Sequence, residues 1–463
     1  MAYDQSFYTS VNRYGNSILY RGFNYRGERV SRKIKFSPTM YVPTHNASGY
    51  RTLYGNAVEP IEFNTMKDAK EYLDKYDDVT NFEVSGNEHF VSQFIFDQFP
   101  DDIQFDESKI NTVFFDIECD SPNGFPVPEK AEGQITAISF KSSLDDHFIQ
   151  WGLKDFDVSQ SAYNVKYIQC DSEAQLLMNF LDHWDSDRLS PDVVSGWNIR
   201  LFDIPYLVNR IAKVLGDDMM KKMSPWRMVS QKQVRVMKKT VTAYELTGIQ
   251  QLDYMDLFKK FAYTYGQLDD YKLDTVASVV LGDNKISYDE YLTLGKLYDE
   301  NHQKFVEYSI KDTDIVSRLE EKLGLISLAM TMAYRGGVNY SDTMGVTRIW
   351  DTIIYRELMK NNIVVPPAVP KHRSEFPGGY VKDVQPGLYD WVCSFDLNSL
   401  YPSIIVQWNM SPETLDTARS YSGLDQYKCL NDDIEVEDGY SVAANGATFT
   451  NEFQGVMPSL VTR

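Results

Sequence analysis

The chain has 463 residues, 43% hydrophobic and 24% charged, which gives room for roughly three domains with sizeable cores and the composition of an ordinary soluble protein. Its 46 Lys and Arg against 66 Asp and Glu leave a net charge of −20, which argues against a protein that grips nucleic acid through a generally basic surface. That balance still admits DNA as a substrate, held by local basic strips beside carboxylate clusters that bind divalent cations. The opening residues MAYDQSFYTSVNRYGN carry no apolar signal core, and no later segment has transmembrane length, so no membrane is expected. Cys119, Cys170, Cys393 and Cys429 stand far apart without CxxC pairing. That spacing supports neither a disulfide framework nor a zinc site and fits a reducing cytosol.

From the N-terminus, SILYRGFNYRGERVSRKIKF predicts two strands around a Gly-containing turn, with Val30, Ile34 and Phe36 on one parity. Arg26, Arg29, Arg32, Lys33 and Lys35 make this the one dense basic patch; a solvated hairpin face is the better account of it, and contact with nucleic acid the lesser one. After the acidic stretch DQFPDDIQFDESK, NTVFFDIECD predicts a strand, and QITAISF and DHFIQWGL continue it as a meander. SEAQLLMNFLDHWDS predicts a helix with Leu176, Leu177, Phe180, Leu181 and Trp184 along one stripe. DVVSGWN returns as a buried strand, and DIPYLVNRIAKVLG is a helix that begins with Pro205 and ends at Gly216. This order is mixed α/β. NHQKFVEYSIKDTDIVSRLEEKL and LISLAMTMAYRGG predict two further helices; past Pro366 and Pro367, a Gly-containing loop leads into a predicted strand, WVCSFDLN.

Three short patterns carry carboxylates. In FFDIE, strand alternation puts Asp116 and Glu118 on one face and Val113, Phe115 and Ile117 on the other. Two hard oxygen donors at the edge of an apolar sheet are costly unless cations pair with them, and Mg²⁺ or Mn²⁺ suits such donors; an exposed strand face would explain the pair equally well. In NIRLFDIPYL, Asp203 precedes Pro205 at a helix entrance, where an N-cap is the plain alternative. In YSIKD, Tyr308 and Asp312 share a helix face with Ile315 and Leu319, and a buried Tyr–Asp hydrogen bond would account for them.

Taken in order, DxE on a strand, N-x(3)-F-D before a helix and Y-x(3)-D on a helix resemble the exonuclease signature of proofreading DNA polymerases. The resemblance implies an RNase H-like 3′→5′ exonuclease domain in which Asp116, Glu118, Asp203 and Asp312 converge on two Mg²⁺ or Mn²⁺ ions. One metal would turn a water into hydroxide and the other would stabilise the leaving 3′ oxygen. Tyr308 would orient the water, and Asn198 and Phe202 would lie near the substrate strand.

SFDLNSLYPSIIVQWNMSPET resembles the first palm motif of B-family DNA polymerases, and KFSPTMYV, LDYMDLFKKF, the NHQ before Tyr308 and GGYVKDVQPGLYDWVCSFDL are similar to the replicative polymerases of T-even-type bacteriophages. The likeness runs over nearly the whole chain. It implies that Asp396 is a palm metal ligand assisted by the Leu397 backbone, that Ser399 and Leu400 meet the dNTP triphosphate, and that Tyr401 stacks under the sugar. On its own, Asp396 would be a turn carboxylate after a strand.

A second palm motif of the Asp-Thr-Asp kind is missing; Asp312, Thr313 and Asp314 have those letters but lie in the exonuclease helix. The fingers helix, the thumb and the clamp-binding tail of the family are missing too. The expectation is therefore one subunit of a split polymerase, or a truncated one. DNA synthesis, with two metals in the palm, would need a separately encoded C-terminal fragment, which would also bring the sliding clamp. The host cell's cytoplasm would be the site of action. A stand-alone single-strand exonuclease and a non-catalytic nucleic-acid-binding or assembly protein are the competing readings. The implied fold is a multidomain α/β (α+β) chain. Its parts are a β-rich N-terminal domain over 1–107 with a return segment at 325–367, the exonuclease over 108–324, and the N-terminal part of a palm over 368–463.

Overall fold

A computed structural model describes residues 6–462 apart from 47–48, 78, 80–81, 121–123, 125, 188, 237–238, 368–381, 421–435 and 444. Cys429 and the expected glycine-containing loop after Pro367 lie outside the described residues. The chain divides into two compact units, one of residues 1–38, 63–70 and 89–353, the other of 39–62, 71–88 and 354–463. The mixed α/β, multidomain class expected from the sequence holds.

The first unit opens with an antiparallel sheet of β1 (Phe7–Tyr14), β2 (Ser17–Phe23) and β3 (Arg29–Lys35), the last two being the predicted hairpin. Arg32, Lys33 and Lys35 are exposed on β3, as a solvated face requires. Arg29 departs from the patch: its Nη2 donates to Asp192 Oδ2 at 2.6 Å. Arg21, only 1% exposed, reaches the same carboxylate at 3.5 Å and donates to the carbonyl oxygens of Pro191, Gly248 and Ser190. A fully buried Asp192 is tolerable because these cations, the Asn111 N–H and the Thr9 hydroxyl satisfy it.

In the second unit, β4 (Thr39–Pro43), β5 (Tyr50–Thr52) and β6 (Ala57–Glu62) share a four-stranded sheet with a short strand at Ile363–Val364. Helix α1 (Met66–Tyr76) follows in sequence, then α2 (Phe90–Gln98) in the first unit.

The larger sheet of the first unit contains β7 (Thr112–Cys119), β8 (Ile135–Ser142), β9 (Phe148–Gly152), β10 (Val165–Gln169), β11 (Val193–Ser195) and, past a hairpin, β14 (Gln250–Gln251), in the order β10-β9-β8-β7-β11-β14. The predicted meander β7-β8-β9 is antiparallel; β10 joins β9 in parallel, and β11 joins β7 in parallel. The hairpin is β12 (Val229–Val236) with β13 (Lys239–Leu246).

Helices cover both faces of this sheet. On one, Val113, Phe115 and Ile117 of β7 and Phe140 and Trp151 pack with the stripe of α3 (Glu173–Trp184) and with Ile204, Leu207 and Ile211 of α4 (Asp203–Leu215). Ser172 caps α3 through the Gln175 N–H, and α4 stops at Gly216, whose φ of +90° no side chain favours. After α5 (Asp217–Met220), α6 (Tyr254–Phe261), α7 (Leu273–Leu281) and α8 (Leu294–Glu300), the long α9 (His302–Leu323) packs on the opposite face, where Phe305, Val306, Tyr308 and Ile310 meet Ala137, Phe148 and Val165. Helix α10 (Leu325–Gly336) restarts after Gly324 in a left-handed conformation. Both α9 and α10 match the expected helices.

One expected element is absent. Past α11 (Val346–Lys360), the segment WVCSFDLN ahead of α12 (Leu400–Gln407) forms no strand; its residues are irregular and exposed, Trp391 by 97% and Phe395 by 92%. An extended segment becomes a strand only when a neighbour takes its backbone hydrogen bonds, and none among the described residues does.

Candidate active site

The alternation of β7 delivers Asp116 and Glu118 to the face covered by α9, and the helical spacing of α9 delivers Tyr308 and Asp312 back onto it. One carboxylate oxygen from each of Asp116, Glu118 and Asp312 lies within 4.8 Å of the other two. Glu118 and Asp312 are buried and Asp116 half-buried, so the exposed-face account of FFDIE does not hold.

Asp203 is not an N-cap. Phe202 occupies that position without a capping bond, and Asp203 begins the first turn of α4 with its side chain turned inward. Its Oδ1 accepts the N–H of Ile117, the residue between Asp116 and Glu118, at 3.2 Å. It stands beside the three-carboxylate group, near enough for its charge to raise Asp116.

Crowded carboxylates in a buried place resist ionisation. Burial, then the charges of Asp203, Glu118 and Asp312, holds Asp116 well above the usual carboxylate range. Burial first and Asp312 next push Glu118 up to about 8. Burial raises Asp203 to about 7 against the pull of the Ile117 N–H. Burial also raises Asp312, although Lys285 opposes it. Burial lifts the Tyr308 hydroxyl far above its ordinary value as well.

Lys285 is the residue that sequence reasoning missed. Its ammonium lies 2.5 Å from Asp312 Oδ2 and 4.9 Å from the centre of the Tyr308 ring. Burial disfavours its charge, yet Asp312 and Tyr308 hold its pKa above the ordinary lysine value. A single Lys in the loop DNKISYDEY carries no periodicity or motif that would single it out. The other oxygen, Asp312 Oδ1, is buried without a hydrogen-bond partner. Three clustered carboxylates with an unsatisfied oxygen fit a hard divalent cation such as Mg²⁺ or Mn²⁺.

Family descriptions match two stretches: "DNA polymerase family B, exonuclease domain" over residues 75–276 and "DNA polymerase family B" over residues 345–463, together more than half of the chain. The chain belongs to DNA polymerase family B. It is 32% identical over 99% of its length to the DNA-directed DNA polymerase of Escherichia phage RB69 and 31% identical over 99% to that of Enterobacteria phage T4. Each match takes in 53% of the relative, so the chain spans about half the length of these phage polymerases. DNA polymerase II of Escherichia coli (strain K12) is 27% identical over 60% of this chain and 35% of that protein. The exonuclease-domain match contains Asp116, Glu118 and Asp203; Asp312 lies beyond it, and the packing of α9 on β7 brings it in.

The substrate-side candidates sit in the turn before α4. Asn198 has a left-handed φ of +66°, and its carbonyl accepts the N–H groups of Leu201 and Phe202. Phe202 packs its ring against Tyr206 at 5.9 Å. The palm candidates are not assembled: Asp396, Leu397, Ser399, Leu400 and Tyr401 are all exposed, in and just before α12, and among the described residues Asp396 belongs to no group of three metal-type donors.

Gly196 starts the substrate-side turn. A Cβ there would stand 2.6 Å from the Phe115 carbonyl oxygen and 2.4 Å from Ile199 Cγ2. Gly196→Ala must therefore push the turn off β7 and carry Asp203 with it. We expect Mn²⁺ binding, titrated by EPR, to weaken roughly tenfold or more, the scale set by disturbing contacts that support ligands. Unchanged affinity would show that the turn does not position Asp203.

Proposed function

We propose that this chain carries the two-metal 3′→5′ proofreading exonuclease and the first palm motif of a phage-type replicative DNA polymerase. The observation that carries the reading is the meeting of Asp116, Glu118 and Asp312, with Asp203 beside them and Asp312 Oδ1 unsatisfied. Asp116, Glu118, Asp203 and Asp312 would hold the cations, with the exonuclease over 108–324, the N-terminal domain over 1–107 and 325–367, and palm sequence over 368–463.

The cations, when bound, supply charge that lowers the pKa of the attacking water and stabilises the leaving 3′ oxygen. The reaction adds that water's oxygen to the terminal phosphorus and breaks the P–O3′ bond, leaving a shortened strand with a 3′-hydroxyl and a nucleoside 5′-monophosphate. Asn198 and Phe202 would bind the single-stranded 3′ end, and Tyr308, protonated at neutral pH, would donate its hydrogen bond toward the water. Lys285 neutralises one of the four carboxylates, which lowers the repulsion between the site and an approaching phosphate.

In the palm, Asp396 and the Leu397 carbonyl would bind metal, Ser399 and Leu400 the dNTP triphosphate, and Tyr401 the sugar. Primer-template synthesis would draw on fingers, the rest of the palm and a thumb from further polypeptide, in the same chain or a separate one, and any sliding-clamp contact would come with it. On this reading the work would take place in the cytoplasm of an infected bacterium, and the likeness to phage polymerases supports it. No helix among the described residues is long and apolar enough to cross a membrane.

A 3′-labelled single strand incubated with the chain and Mg²⁺ should release labelled mononucleotide, and EDTA should stop the release. Label that stays on the strand, or release indifferent to EDTA, would overturn the reading.

A further inference from the structure

Asp253 is a buried carboxylate outside the metal-binding group. It caps α6, its Oδ1 accepting the Met255 N–H at 3.1 Å. A cap needs no more, yet the same Oδ1 accepts the Asn198 N–H at 3.1 Å and Oδ2 accepts the Arg200 N–H at 3.0 Å. These donors lie 55 and 53 residues earlier, in the turn that leads to Asp203. The contact continues on either side: Tyr254 N–H donates to the Gly196 carbonyl at 2.9 Å, Ser195 Oγ to the Leu252 carbonyl at 2.6 Å, and the Arg200 guanidinium lies 3.5 Å from Asp256.

The turn needs such a hold. A left-handed φ costs most residues on the order of 1–2 kcal/mol; asparagine tolerates it better, and an outside hold on its N–H fixes it there. Because the Asn198 carbonyl takes the N–H groups of Leu201 and Phe202, its backbone orientation sets the direction in which Phe202 and Asp203 leave the turn. A carboxylate with three backbone donors is a charge-assisted anchor stronger than neutral turn bonds.

We propose that Asp253 is a positioning residue of the exonuclease site, its two oxygens clamping the Asn198–Arg200 turn so that Asn198 and Phe202 meet the DNA strand and Asp203 stays beside Ile117. The clamp rests on the exonuclease reading above. Asp253 itself touches neither DNA nor metal.

The test separates capping from clamping. Asp253→Ser keeps a good N-cap for α6 but has one short oxygen in place of two, so the turn N–H groups lose their acceptors. Asp253→Asn keeps one carbonyl oxygen for Asn198 and Met255 and turns an amide toward Arg200. In the full chain with Mg²⁺, Asp253→Ser should keep the parental thermal midpoint, lose tenfold or more in kcat for a 3′-labelled single strand with a smaller change in KM, and exchange the amides of Asn198 and Arg200 faster. Asp253→Asn should fall between Ser and the parent on both readouts. Parental kcat and parental amide exchange in Asp253→Ser would overturn the clamp. So would activity that falls only in step with the thermal midpoint across both variants. A parent chain without Mg²⁺-dependent release, or an Asp116→Ala variant with the parental rate, would overturn the exonuclease reading and the clamp with it. An inactive Asp116→Ala beside a fully active Asp253→Ser would remove the clamp alone.

Discussion

Replacing Asp116 and Glu118 together by alanine should lower Mg²⁺-dependent release of nucleotides from a 3′-labelled single strand by about 10³-fold or more, on the order of 4 kcal/mol of transition-state stabilisation. The two residues supply two of the three carboxylates whose oxygens lie within 4.8 Å. The third, Asp312, is already paired with Lys285, so the remnant offers a cation little. The loss should not come from unfolding. Both side chains are held above the usual carboxylate range by burial and by one another's neighbours. Taking them away relieves repulsion, and the metal-free thermal midpoint should hold or rise. Parental release by the double variant would sink the assignment of the site, or expose a contaminating nuclease.

The sequence carried most of this site and less of what surrounds it. Alternation in FFDIE and the four-residue step from Tyr308 to Asp312 are local periodicities, and local periodicity decides which face of a strand or helix a side chain takes. It does not decide which face meets which. The capping position of Asp203 was the plainer local reading, and only the pairing of β11 with β7 and the start of α4 under that edge turn its carboxylate to Ile117. Lys285 sits in a polar loop and Asp253 at a helix cap, places that account for either residue type locally; their further roles come from contacts 27 and 55 residues away along the chain. Arg29 reads as one member of a basic face, yet an aspartate far along the chain pairs with it and half-buries it. The failed strand at WVCSFDLN has the opposite cause: its propensity is real, but a strand is a property of a pair. The palm motif is accordingly legible as letters and unassembled as a site.

Lys285→Met tests how the four carboxylates are kept together when no cation is bound. Lys285, its side chain 27% exposed, is the one cation paired with the cluster among the described residues, and removing it strands the buried Asp312 carboxylate, at a cost below the ~3–5 kcal/mol of a fully buried pair. The cost depends on pH with a definite sign. Glu118 and Asp203 titrate near 8 and 7 in the fold, against about 4 in an unfolded chain. Between those limits the folded state holds more protons than the unfolded state, so stability falls as pH rises through the window. Without the Lys285 charge those pKa values move further up and the fall steepens. Urea unfolding of the metal-free variant should therefore show its full deficit near pH 8 and a small one near pH 5.5, where Glu118 and Asp203 are protonated in the fold with or without Lys285 and leave it little charge to neutralise. Millimolar Mg²⁺ or Mn²⁺ should recover much of the deficit at pH 8, because a cation that binds only the folded cluster stabilises it by mass action. An equal deficit at both pH values, indifferent to metal, would mean that Lys285 acts by packing its chain against Tyr308 and not as a counter-charge. A deficit confined to high pH and recovered by metal would mean that the ammonium does for the metal-free fold what a bound cation would do, the two positive charges competing for Asp312.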